Sequence, residues 1–163
     1  MNGHIFQLNV SEGGVPKLAV PAGEVSAAGL SGDRQRDRRH HGGTERALCL
    51  YSLDHIMALQ KEGHPIYPGA IGENVTLAGI DWSLLTPGAR LRLGDVVEIA
   101  ITSYTVPCSN IAAAFADGNM NRVSQKKHPG WSRLYARVLQ PGRIAVGDPV
   151  SVLSLQATAE EGL

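Results

Sequence analysis

The chain has 163 residues, enough for one domain and too few for two. Hydrophobic residues make up 43% and charged residues 18%, a composition that supports a packed core and excludes global disorder. Fifteen Lys and Arg balance fifteen Asp and Glu, which excludes attachment to nucleic acid or a membrane surface through a general positive field. Nineteen Gly and nine Pro with few aromatics predict many turns between short elements rather than a helical bundle.

His4 to Val10 reads as a short strand closed by Gly13-Gly14, and Lys17 to Val20 as a second strand stopped by Pro21. Gly29 to Gly43, rich in Arg, Asp, His and Gly, reads as a loop. Ala47 to Tyr51 (ALCLY) has the length and apolarity of a buried strand. It leads into a predicted helix with Ser52 as N-cap, Asp54 in the first turn and Gly63 just past the end. Leu53, Ile56 and Leu59 give that helix one apolar face.

Further on the patterns are mostly those of strands: Glu73 to Leu77, Arg90 to Leu93, Val96 to Tyr104, Leu134 to Leu139 and Val150 to Leu153. Pro87 to Asp95 and Pro141 to Asp148 echo one another. Each has Pro-Gly, a short run and Gly-Asp, which predicts turn, strand and a second turn in a closed or strongly curved sheet. The Ala-rich run after Cys108 predicts a helix, Asp117 to Gly130 a polar loop, and Gln156 to Leu163 a frayed tail, so the domain is expected to span residues 1–155.

Two cysteines are too few for a disulfide framework and point to a reducing compartment. The N-terminus lacks the pattern of a secretory signal, and no apolar run reads as a membrane span, so a cytoplasmic setting is expected. Cys49 lies inside ALCLY and reads as core. Cys108 follows Pro107 at a strand-to-helix corner, where a helix N-terminus favours the thiolate. Two readings stand for it: a nucleophile or soft-metal ligand, and a small buried hydrophobe.

Gly32 to Gly43 holds four Arg and two His, with Arg46 just beyond. Arginine forks beside glycines suit an oxyanion, although a solvated basic loop tied down by Asp33 and Asp37 has the same composition. Glu73 and Asn74 introduce a strand, either as a turn or as hydrogen-bonding groups for a heterocycle. His128, Trp131 and Arg133 flank a Pro-Gly turn. No P-loop, dinucleotide fingerprint, Cys-x-x-Cys pair or nucleophile elbow is present.

The ordered set Gly32-Asp33-Arg34, His41-Gly42-Gly43, Arg46-Ala47, Gly72-Glu73-Asn74-Val75-Thr76, Leu93-Gly94-Asp95, Pro107-Cys108 and Arg137-Val138-Leu139 resembles the MOSC domain. That family is named for the C-terminal domain of molybdenum cofactor sulfurase. The resemblance implies a mainly β, barrel-like sheet with a few short α-helices, and a free-standing, bacterial-type member. It implies molybdenum cofactor (molybdopterin), with Cys108 as the metal ligand and catalytic residue of an oxidoreductase acting on N-hydroxylated or N-oxide compounds. Arg34, Arg46 and Arg133 are then expected on the cofactor phosphate, Asn74 and Thr76 at the pterin, and His41 and Glu73 among the cofactor-binding residues. The implied partners are a small-molecule substrate and a separate electron-donor protein. A sulfur or cofactor carrier that takes a persulfide on Cys108 from a cysteine desulfurase is the alternative, followed by a non-catalytic binding domain. Many members carry Pro-Arg where this chain has Tyr104-Thr105.

Overall fold

Residues 2–34 and 43–155 are described by a computed structural model. Strand β1 (Asn2–Val10) shows how the sheet closes on itself. One edge of its first residues pairs with the last strand, β11 (Pro149–Ser154), with His4 opposite Pro149. The other edge pairs with β6 (Val75–Ala78), with His4 opposite Ala78. The register shifts between Ile5 and Gln7, so Phe6 is an extra residue. That bulge lets Ile5 and Leu8, three apart, both face the core at 0% exposure while Phe6 stays 41% exposed.

The remaining strands are β2 (Leu18–Val20), β3 (Ala22–Ser26), β4 (Gly29–Leu30), β5 (Leu48–Ser52), β7 (Arg90–Leu93), β8 (Val97–Tyr104), β9 (Leu134–Gln140) and β10 (Gly142–Ala145). Seven strands form a closed barrel in the order β1-β11-β7-β8-β9-β5-β6 and back to β1, with β2 added at the end of β1. A second sheet, β10-β3-β4, is separate. The expected mainly β barrel with few helices is therefore the observed architecture.

Only the β5–β6 pair of the barrel is parallel, so its connection must cross over. Helix α1 (Leu53–Lys61) lies in that connection. Ser52 caps it by accepting from the His55 N–H at 3.1 Å, Ile56 and Leu59 are buried, and the chain leaves through Gly63. All five residues of β5 are buried, as the ALCLY run predicts for a strand covered on both faces. The two Pro-Gly to Gly-Asp echoes become β7 and β10 with their turns, and the turns abut. Gly94, at φ +67°, donates its N–H to the Pro149 carbonyl, and a Cβ there would lie 2.7 Å from Asp148 Oδ2.

Three expectations need correction. The run after Cys108 is a six-residue 3-10 helix, Ser109–Ala114, and not an α-helix. Its buried side chains, Ile111 and Ala114, are three apart, the spacing that a 3-10 turn stacks on one side. Asp117 to Gly130 contains a second such turn, Met120–Val123, pinned by fully buried Val123. Within Gly29 to Gly43, the first two residues form β4, paired with β3. Residues 35–42, including His41, and the tail 156–163 lie outside the described residues.

Candidate functional site

One end of the barrel holds a cavity of about 220 Å³. Most of the residues that border it flank strands. Lys17 precedes β2, Asp33 follows β4, Asn74 precedes β6, Cys108 follows β8 and Arg133 precedes β9. Strand interiors contribute Cys49 and Tyr135, which are cross-strand partners on β5 and β9.

The wall is built around a buried ion pair. Lys17 Nζ lies 2.6 Å from Asp33 Oδ1, with both side chains under a tenth exposed. Asp33 Oδ1 also accepts from the Ser11 N–H at 3.0 Å, and Oδ2 accepts from Asn74 Nδ2 at 2.9 Å. Asn74 Oδ1 in turn accepts from the Cys49 N–H at 3.0 Å. The carboxamide is thus oriented from both ends, a role that its place before a strand did not by itself disclose. Lys17 was legible only as part of a strand.

Glu73 and Thr76 lie behind that wall and are fully buried. The Thr76 hydroxyl donates to Glu73 Oε2 at 3.0 Å, and Asn9 Nδ2 donates to the Glu73 carbonyl at 3.1 Å. Burial pushes the Glu73 carboxyl up to about 7, against the opposing pull of backbone N–H groups, the Thr76 hydroxyl and the Arg133 charge. Glu73 and Thr76 do not line the cavity.

Cys108 is partly exposed, and its S–H donates to the Asn110 side-chain carbonyl. The short 3-10 turn that it precedes gives no α-helical dipole to act on it, so its setting is the cavity and the neighbouring amide. Cys49 is buried, as the strand pattern indicated, yet it also borders the cavity. Burial pushes its thiol up to about 11, which keeps it protonated. Tyr135 is likewise pushed up to about 12, chiefly by burial.

Arg133 is 7% exposed, and its Nη1 donates to the Ile71 carbonyl at 2.8 Å. Its Nε and Nη2 are buried and, among the described residues, have no hydrogen-bond partner, as is the case for Glu73 Oε1. Arg46 sits with its guanidinium carbon 5.2 Å from the centre of the Tyr135 ring, beside the cavity. Arg34 is exposed next to Asp33 and does not line the cavity. The structure therefore brings together Cys108, Asn74 and Arg133, with Arg46 near them. Trp131 packs instead on His55, with ring centres 4.2 Å apart, and under the Arg122 guanidinium.

A soft sulfur donor, a guanidinium side chain and a fixed amide around one cavity suit an anionic, metal-bearing group such as molybdenum cofactor. Among the described residues no three His, Cys, Asp or Glu side chains converge as a metal cluster. Among the same residues no helix is long and apolar enough to cross a membrane.

Comparison with known proteins agrees with the architecture. The protein YflK of Bacillus subtilis is 32% identical over 126 residues, covering 77% of this chain and 56% of its own length. A protein named "Reductase" from Gibberella moniliformis is 32% identical over 133 residues, covering 78% of this chain and 23% of its own. The chain thus spans little more than half of the first relative and about a quarter of the second. The crystal structure of YiiM from Geobacillus stearothermophilus superimposes with a TM-score of 0.71 at 25% identity, covering 93% of this chain and 75% of that one. A family model described as "MOSC domain" matches residues 37–151. With that match over most of its length, and with the barrel and motif order already described, the chain belongs to the MOSC domain family.

Proposed function

We propose that this domain binds molybdenum cofactor and reduces N-hydroxylated or N-oxide compounds, with the Cys108 sulfur as the protein's ligand to the metal. The observation that carries this reading is the meeting of the Cys108 thiol, the Arg133 side chain and the doubly held Asn74 amide at one cavity. When bound, the cofactor supplies two-electron chemistry coupled to oxygen transfer. The chain's own residues bind and orient. Asn110 holds the Cys108 sulfur toward the cavity through its side-chain carbonyl. Asn74, locked between Asp33 and the Cys49 N–H, presents a fixed amide to a heterocycle. Arg34 and Arg46 take the phosphate outside the cavity, and Ile71 and Ile111 exclude water from it. The fungal relative named a reductase supports the same direction.

Purification without air from a host that makes the cofactor, wild type beside Cys108→Ala, tests this reading. Near-stoichiometric molybdenum and the fluorescence of oxidised pterin are expected in wild type, with both lost in the variant. Equal metal and pterin contents in the two proteins would overturn it.

The exposure of Cys108 beside Val106, which is 80% exposed, favours a second reading, a sulfur carrier accessible to a desulfurase. It predicts a persulfide on Cys108 after incubation with cysteine and a desulfurase, without molybdenum. Absence of that persulfide rejects it.

A further inference from the structure

A second cavity, of about 280 Å³, lies where β8 ends and β9 begins. Tyr104 and Leu134, cross-strand partners on those strands, both border it. Leu134 and Tyr135 are neighbours on β9, and successive residues of a strand point to opposite faces. Leu134 accordingly lines this cavity, and Tyr135 lines the one beside Cys108. Among the described residues the two cavities share none of their lining.

The walls of this cavity are tied in place. Trp82 Nε1 donates to the Ser132 carbonyl at 2.8 Å. Gly130 is held at both ends: its N–H donates to Gln125 Oε1 at 2.9 Å, and its carbonyl accepts from His55 Nε2 at 2.8 Å. Trp82, Leu85 and Leu134 are buried and give an apolar floor, below an exposed rim that includes Ser83 and Thr86. An apolar floor with a few placed polar groups is the usual form of a small-molecule site. Walls already held in shape lose little freedom when a ligand enters.

Charge and hydrogen bonding narrow the ligand. Among the described residues, none that lines the cavity is charged. An ion would leave water there without a counter-charge, so an uncharged molecule is favoured. The Trp82 N–H is taken by Ser132, and the Ser83 hydroxyl by Asp81 Oδ1 at 2.6 Å. Gly130 takes the Gln125 carbonyl, which leaves the amide NH2, and Tyr104 adds a phenol O–H. Both groups donate, so the complementary ligand brings an acceptor.

We infer that this cavity is a second ligand site, for a small uncharged molecule with an apolar body and one carbonyl acceptor, held by Gln125 Nε2 and the Tyr104 hydroxyl. The site is independent of molybdenum cofactor and goes beyond both the reductase and the carrier readings.

The test is an NMR titration of the full chain with benzamide and, separately, with benzoate, which has nearly the same shape and carries a charge. Benzamide is expected to bind with a dissociation constant on the order of 1 mM, in keeping with its size. It should move the Trp82 indole N–H signal and the methyl signals of Leu85 and Leu134, and leave those of Ile71 and Ile111 in place. Benzoate should bind there at least about tenfold more weakly, for want of a counter-charge. Tyr104→Phe removes one hydrogen bond, keeps the ring and should weaken benzamide by about three- to tenfold. Thr86→Trp fills the rim from an exposed position and should abolish the shifts. If either variant fails to fold, the two titrations of the wild type decide. Benzamide at about 10 mM, tenfold above the expected constant, that moves neither the Trp82 nor the Leu134 signals overturns the inference. Shifts confined to Ile71 and Ile111, or benzoate that binds beside Trp82 as tightly as benzamide, overturn it as well.

Discussion

Lys17 and Asp33 form a 2.6 Å ion pair with both side chains under a tenth exposed, and the same carboxylate holds the Asn74 amide. One aspartate thereby ties the segment before β2, the segment after β4 and the entry to β6 into a single wall. Removal of one partner leaves the other charge buried and unpaired, which costs more than the pair itself contributes. Asp33→Ala should therefore lower unfolding free energy by about 3 kcal/mol or more, the range for breaking a buried pair. Lys17→Met with Asp33→Leu in one chain should recover part of that loss. Urea denaturation of the single and double variants checks both statements, and an additive double variant would deny the coupling.

Glu73 makes stability depend on pH in the opposite sense to a salt-bridged acid. Its carboxyl is raised from 4.5 to about 7 by burial, so the folded chain keeps a proton that the unfolded chain releases between those values. The stability tied to this group is fully present below pH 4.5, is lost as pH rises towards 7 and levels off above it. A shift of that size corresponds to about 3 kcal/mol across the window. Glu73→Gln, which mimics the neutral acid, should flatten this dependence and be more stable than wild type near pH 8. A parallel fall in both proteins would assign the pH dependence to other groups.

The two thiols should differ sharply in reactivity. Cys49 is buried, with its thiol pushed up to about 11, whereas Cys108 is partly exposed. Iodoacetamide applied to the native chain is expected to alkylate Cys108 and leave Cys49 unmodified until denaturant is added. Peptide mass mapping reads the two sites separately. Early modification of Cys49 would mean that the cavity opens widely enough to expose β5.

What could be read from the sequence was what short-range chemistry decides. The Ser52 cap, the apolar face of Ile56 and Leu59 and the buried run around Cys49 are local patterns, and each appears in the structure. The Ala-rich run after Cys108 misled because helix propensity favours the α form. The pairing of buried Ile111 with buried Ala114, a tertiary demand, selected the 3-10 form instead. Closure of the barrel through Asn2–His4 and Pro149–Ser151 joins the two ends of the domain, and no local pattern encodes such a pairing. The same holds at the cavity. The Cys108 motif and the Arg-rich stretch stand out in sequence, but Lys17 looks like an ordinary strand residue until Asp33 is seen beside it. Arg133 gains its meaning only from the Ile71 carbonyl, far away in the chain.

Gly69 tests how tightly the cavity wall is tied to its neighbours. It adopts φ +91°, its carbonyl accepts from the Lys17 N–H at 2.9 Å, and a Cβ there would lie 2.5 Å from the Lys17 carbonyl oxygen. Gly63, at the end of α1, has a similar φ of +98° with nothing within 4 Å of the added carbon. Gly63→Ala should therefore cost only the left-handed backbone penalty, about 1 kcal/mol. Gly69→Ala meets the same penalty plus a backbone clash that no rotamer change can relieve. It should cost at least about 1 kcal/mol more, since strain of this kind is of that order, and it should disturb the Lys17–Asp33 pair. Urea midpoints of the two variants isolate the clash, because the conformational term is common to both. Equal losses would show that the segment holding Lys17 yields easily, and the cavity wall would then be far softer than its buried ion pair implies.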